Sequence, residues 1–317
     1  MICSILWREA LAEQKVVVYT SIKTSLIGEL QAAFTAKHPD IRMEYLSAGA
    51  GKVMAKIVAE HRAGRINADV LWSSEVPDFY DLRARGVLLP YEPADRQARI
   101  EPLPDNGGTF TTARLSLMGI AYNIHSVKNP PEQWSDLTLT PLRGSFAIAN
   151  PTLSGTSTMS IAALVEAFGW SYIENLRTNG TKLGQGAQQV VDDTASGALL
   201  ACLAVDYLAA DRIERGGAIA LVLPPELIVI PSPIAIFRDS PNQEAAKAFV
   251  EFVLSQEGQS IIANEGTLPV RTDVEVPARF GLPPVAEAMR RALPIDYDKA
   301  VADKERTVKK FTTIMQK

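Results

Sequence analysis

The stretch Gly144–Gly169, GSFAIANPTLSGTSTMSIAALVEAFG, holds the pattern that decides the fold. The apolar run Phe146–Ala149 predicts a buried strand, and Asn150-Pro151 ends it. Ser154, Gly155, Thr156 and Ser157 then open a helix with apolar residues at Ile161, Leu164, Val165 and Phe168. The order is strand, tight turn, helix, with hydroxyls and a glycine gathered at the helix start. The first N–H groups of a helix lack intrahelical acceptors and carry the positive end of its dipole, so a small anion is a natural guest there. The same Ser and Thr residues serve equally well as helix caps.

Working outward, Lys15–Ser21 (KVVVYTS) predicts a central strand. A helix follows over Leu26–His38, stopped by Pro39. Ile41–Leu46 is a second strand, Lys52–Ala63 a second helix, and Ala68–Ser74 (ADVLWSS) a third strand. This alternation predicts an α/β protein with a parallel, doubly wound sheet. The strands end in small polar residues: Thr20 and Ser21, Ser47 to Gly51, Ser73 and Ser74. Ligands of open α/β sheets collect at such carboxyl ends, although turns also favour these residues. Two long extended segments, Arg114–Asn123 and Glu226–Phe237, have the length to cross between two halves. Helices are expected over Asn242–Leu254 and Gln256–Glu265, then a loop over Thr267–Val276 and a charged helical tail.

A chain of 317 residues favours two domains over one core. Its 47% hydrophobic and 21% charged residues place it among ordinary globular proteins. A net charge of −4 argues against a nucleic-acid surface. No apolar run approaches the ~20 residues a bilayer requires. Ile2–Leu11 is short and interrupted by Arg8 and Glu9, so it is not a complete secretory signal. Cys202 sits in the apolar run ALLACLAV and predicts a buried small hydrophobe; nothing in the spacing pairs it with Cys3. His38, His61 and His125 have no metal-site spacing, and no metal or cofactor is expected. No nucleophile–base arrangement or P-loop is visible.

Several segments, in chain order, carry a likeness to a known family: VVVYTS, GAGKVMAKIVAE, ADVLWSSEVPDFYDLRARGVLLPY, LMGIAYN, NPTLSGTS, GALLACLAVDY, PSPIAIF, AKAFVEFVLSQEGQ and GTLPVRTDV. Together they resemble the extracellular solute-binding proteins of ABC importers, in the group that includes ferric-iron binders and binders of 2-aminoethylphosphonate and sugar phosphates. The resemblance covers about Val16 to Val276. It implies a two-lobed type II periplasmic-binding-protein fold with two crossover hinge strands. One lobe would comprise 1–112 plus 234–273 and the other 113–233 plus 274–317, with ligand in the cleft between them. Ferric-binding members grip the metal with adjacent tyrosines, whereas the corresponding place here reads Val205-Asp206-Tyr207-Leu208, with one tyrosine.

The resemblance places an anion at the start of the helix formed by Ser154, Gly155, Thr156 and Ser157. It sets Ser21, Ser47, Gly49 and Gly51 across the same space. Asp206 would accept from an ammonium or hydroxyls, or else cap the helix starting at Tyr207. Tyr207 would stack or hydrogen-bond, or pack as a half-buried aromatic. Trp72, Ser73, Gln185, Gln188 and Glu226 complete the candidate set. The function implied is the solute-binding component of an ABC importer for a small phosphorus oxyanion: a phosphonate such as 2-aminoethylphosphonate, a sugar phosphate, or phosphate. The alternatives are a ferric-iron or iron-chelate binder and an enzyme acting on phosphate or phosphonate esters. The expected partners are the small anionic or zwitterionic ligand and the permease subunits, with no nucleic acid. The expected state is a monomer in the periplasm or outside the cell, with no signal peptide in this chain.

Overall fold

The computed structural model describes residues 14–103 and 108–316; the segment Ile2–Leu11 and Cys3 lie outside them. One twisted sheet runs through the molecule. Its first half begins with β1 (Gln14–Thr20), flanked in parallel by β2 (Ile41–Ser47) and β3 (Val70–Trp72). β3 pairs antiparallel with β9 (Ile228–Ile236), and β9 pairs antiparallel with β4 (Thr111–Asn123). On the other edge of β4 lies β7 (Ala201–Val205), antiparallel, followed in parallel by β5 (Phe146–Ala149) and β6 (Lys182–Gly184). β8 (Ile219–Val222) takes over from β9 along the last residues of β4.

The expected parallel sheet is therefore mixed. The parallel βαβ units are there in each half, but β4 and β9 run against them. These two strands do what the long extended segments predicted: each belongs to both halves of the sheet. β9 is apolar or neutral and buried throughout, and β4 is buried over most of its length, as strands covered on both faces must be. The β4–β9 register slips between Thr112 and Arg114. A bulge of this kind re-aims the side chain beside it.

The helices follow their apolar spacing. α1 (Thr24–Lys37) buries Leu26, Ile27, Leu30 and Phe34. Phe34 meets Phe249 edge-on, at 5.4 Å between ring centres, from α7 (Gln243–Leu254), which precedes α8 (Gln256–Asn264). α2 (Ala50–Arg62) follows β2, and α3 (Val76–Ala84) follows β3. In the second half, α4 (Gly155–Thr178) is broken at Gly169, whose φ of 77° and ψ of 172° suit only glycine. α5 (Ala187–Ala195) and α6 (Asp206–Glu214) flank β7. α9 (Val285–Arg291), α10 (Tyr297–Ala302) and α11 (Lys304–Met315) close the chain, and Phe311, Ile314 and Met315 of α11 are buried. Cys202 is fully buried as expected, and burial pushes its thiol pKa up to about 12.

Candidate functional site

The polar strand ends of the first half converge on β9. Ser21 and Ser73 share a hydroxyl hydrogen bond of 3.1 Å, and the Ser74 N–H donates to Ser21 Oγ at 3.3 Å. The Ser74 and Ser232 hydroxyls are 2.7 Å apart. Ser232 lies opposite Arg114 in the β4–β9 ladder, beside the bulge. Arg114 Nε donates to Ser232 Oγ at 3.5 Å. Its Nη1 and Nη2 make no hydrogen bond, although the residue is 0% exposed. The guanidinium lies over the Tyr207 ring at 4.4 Å, and Lys23 Nζ approaches the same ring at 6.0 Å. Ser116, two residues along β4, is also fully buried with an unpartnered hydroxyl.

A buried guanidinium is normally paired, because an unmet charge in a low-dielectric interior is costly. Here the unmet donors come from a planar fork suited to two oxygens of one oxyanion. Stacking on Tyr207 retains part of the charge through the ring quadrupole. Sequence reasoning passed over Arg114. Its signal was one cation leading an otherwise uncharged run, RLSLMGIAYN.

Asp206 occupies a different role from an outward-facing ligand acceptor. It is 1% exposed, and its carboxylate accepts from Leu117 N at 2.9 Å, Tyr207 N at 2.8 Å and Thr267 Oγ1 at 3.0 Å. Burial pushes its pKa up to about 7, against the pull of those donors and of Arg114. It ties α6 to β4 and to the segment after α8. Trp72 is likewise not a pocket wall: it is fully buried in the apolar cluster that holds Val16, Val18, Val70 and Phe249, and Ser73 after it is also buried, bonded to Ser21.

At the start of α4, Ser154 caps the helix, accepting from Ser157 N at 3.4 Å and lying 3.1 Å from Thr156 Oγ1. The Ser157 hydroxyl donates to Ala149 O. Gly155 is buried against Glu75, the residue before α3: a Cβ at Gly155 would lie 2.2 Å from Glu75 Oε2. A carboxylate of the first half thus sits where the helix start was expected to meet a free anion. Glu75 Oε1 and Asp78 Oδ1 each lie 3.1 Å from Lys304 Nζ, at the start of α11. Burial raises the pKa of both acids. Burial also opposes the charge on Lys304, but the two carboxylates outweigh it and hold its pKa above the usual value.

The remaining candidates lie further out. Ser47 donates to Ile22 O at 2.7 Å, and Gly49 is exposed. Gly51 lines the same cavity as Glu75. Gln185 and Gln188 are exposed, and Gln188 Nε2 donates to Asp192 Oδ1 at 2.9 Å on the α5 surface. Glu226 is exposed, two residues ahead of β9, with its backbone carbonyl accepting from Trp134 Nε1 at 2.8 Å. Among the described residues, no three His, Cys, Asp or Glu side chains form a metal-holding group.

Two α/β halves joined by two shared strands have the fold of type II periplasmic binding proteins. The chain belongs to the bacterial extracellular solute-binding protein family, whose profile matches residues 15–267. It is 23% identical over 257 residues to a putative 2-aminoethylphosphonate-binding periplasmic protein of Salmonella typhimurium, covering 76% of this chain and 73% of that one. In fold it is similar to the periplasmic binding protein AfuA of Actinobacillus pleuropneumoniae, with fructose-6-phosphate bound: TM-score 0.83, 21% identity, 95% and 98% coverage. It is also similar to iron-bound HitA of Pseudomonas aeruginosa: TM-score 0.80, 20% identity, 94% and 99% coverage. Membership of a solute-binding family makes this chain a binder of solutes, which sets aside the enzyme alternative. No helix among the described residues is long and apolar enough to cross a membrane.

Proposed function

We propose that the protein is the periplasmic or extracellular solute-binding component of an ABC importer and takes a small phosphorus oxyanion between its halves. The classes that suit it are a phosphonate such as 2-aminoethylphosphonate, a sugar phosphate, or phosphate. The observation that carries this is Arg114: a fully buried guanidinium with both terminal nitrogens unpaired, beside Ser74, Ser232 and Ser116. Serine hydroxyls donate to the remaining oxyanion lone pairs and orient as required. The relative named for 2-aminoethylphosphonate supports the class.

Ferric iron suits this donor set poorly. It wants several anionic oxygens, and Tyr207 is a single phenol with a cation stacked on its ring. The test is a melting-temperature panel with phosphate, methylphosphonate, 2-aminoethylphosphonate and glucose-6-phosphate, alongside native mass spectrometry of the purified protein. A ligand at a hundredfold excess over Kd adds about 2.7 kcal/mol of stability, an upward shift readily seen. If no phosphorus oxyanion raises the melting temperature, the proposal fails.

A further inference from the structure

The C-terminal helices lie across the join between the halves. α10 packs on α3, which follows β3 in the first half. α11 packs along α4, which follows β5 in the second, and buries Phe311, Ile314 and Met315. The pair therefore forms a strap with one end on each half. Lys304, the first residue of α11, stands at its elbow. Its ammonium lies 3.1 Å from Glu75 Oε1 and 3.1 Å from Asp78 Oδ1, at the start of α3. Glu75 is buried and Asp78 half-buried. A second ion pair, Lys299 Nζ to Glu166 Oε2 at 2.6 Å, joins α10 to α4, but both groups are exposed and such pairs contribute little. Beside the elbow is a cavity of about 620 Å³, with Gly51 and Met54 on one side, Pro151 and Leu153 on the other, and α11 as a wall. Along this edge the halves stand apart, and the Lys304 contacts span the gap.

We propose that α10–α11 is a strap across the two halves and that Lys304 is its catch, holding the ligand-free molecule shut along this edge. Swinging the halves apart carries α11 with α4 and leaves Glu75 and Asp78 with α3, because peeling α11 from α4 would expose Phe311, Ile314 and Met315 to water. The step that costs least is parting the ammonium from its two carboxylates, since all three charges regain water as they separate. The catch is thus a bias rather than a lock. It acts without ligand, so it stands or falls apart from the oxyanion reading. It also shifts closure for every ligand alike, which tunes affinity without altering selectivity.

The test is the distance between nitroxide labels in the ligand-free protein, measured by double electron–electron resonance. The labels are carried by Arg62→Cys, at the end of α2, and Glu174→Cys, on α4, with Cys3→Ser; both positions are exposed, and Cys202 is buried. The parent shows mainly the short distance. Lys304→Met leaves two acids facing one another in a poorly solvated space and lowers the ratio of short to long distances by about tenfold. Adding Glu75→Gln and Asp78→Asn to Lys304→Met removes the repulsion and brings the ratio back toward the parent's. A Lys304→Met protein with the parent's distances overturns the catch. So does a triple variant as open as Lys304→Met, since structure rather than charge would then have been lost, and so does a parent already at the long distance. If Lys304→Met does not fold, Glu75→Gln with Asp78→Asn strands the ammonium instead, and unchanged distances there overturn the proposal as well.

Discussion

Replacing Arg114 with methionine should change the stability of the ligand-free protein by no more than about 2 kcal/mol while destroying its affinity for oxyanions. The side chain is 0% exposed and, without ligand, uses only Nε, at 3.5 Å to Ser232. A bound oxyanion would accept from Nη1 and Nη2, two charged hydrogen bonds of about 1.5–3 kcal/mol each. Losing both removes about 3–6 kcal/mol, a weakening of roughly 10²–10⁴-fold. In the free protein the balance reverses. Exchanging buried charge for a packed apolar side chain commonly gains about 1–4 kcal/mol, less about 2 kcal/mol for the lost contact with the Tyr207 ring. The net expectation runs from about 1 kcal/mol less stable to about 2 kcal/mol more stable, with each kcal/mol worth roughly 2–4 °C in Tm. Calorimetric melts without ligand and titrations with phosphate and methylphosphonate measure both halves. A variant within about threefold of the parent in affinity would refute the role of Arg114. One that binds weakly and also melts more than about 4 °C lower would show that the guanidinium is a structural brace.

Two further substitutions probe neighbouring features. Burial lifts the Asp206 pKa to about 7 from an ordinary 3.8, so between these values the native state keeps a proton that the unfolded chain has released. Its contribution to stability therefore falls as pH rises from about 4 to about 7 and is flat above that. Asp206→Asn should lose this part of the slope, read from urea unfolding of parent and variant at pH 5 and 7.5; parallel slopes would refute it. Gly155→Ala sets a methyl 2.2 Å from Glu75 Oε2 and 3.2 Å from Glu75 Cα, so backbone as well as side chain must give. It should cost about 1–3 kcal/mol in stability, displace Glu75 and loosen the contact between halves, seen as a larger radius of gyration in X-ray scattering. An unchanged radius would show that Glu75 does not help hold the halves together.

Much of the fold was legible in the sequence, because apolar spacing reports burial directly. The strands KVVVYT and FAIA, the α1 stripe of Leu26, Leu30 and Phe34, and the two long crossing segments each emerged near their predicted places. Strand direction was less legible: β4 and β9 run antiparallel to their neighbours, and no local pattern encodes that. α3 went unread because Pro77 and an even scatter of polar residues hide its periodicity. At the site, the serine strand ends were visible as composition. The residues facing them were not, since Ser232, Lys304 and Arg114 reach the cleft only through long-range pairing. Asp206 and Trp72 misled for a related reason. A polar or aromatic residue at a strand end gives no sign of which way the chain turns it.

The strand that carries Arg114 is shared by both halves of the sheet, so the guanidinium sits on the axle rather than on either jaw. Under the proposed function, its place relative to the Ser232 ladder partner would hold while the halves move about the shared strands, and an arriving oxyanion would meet the charge before the halves close over it.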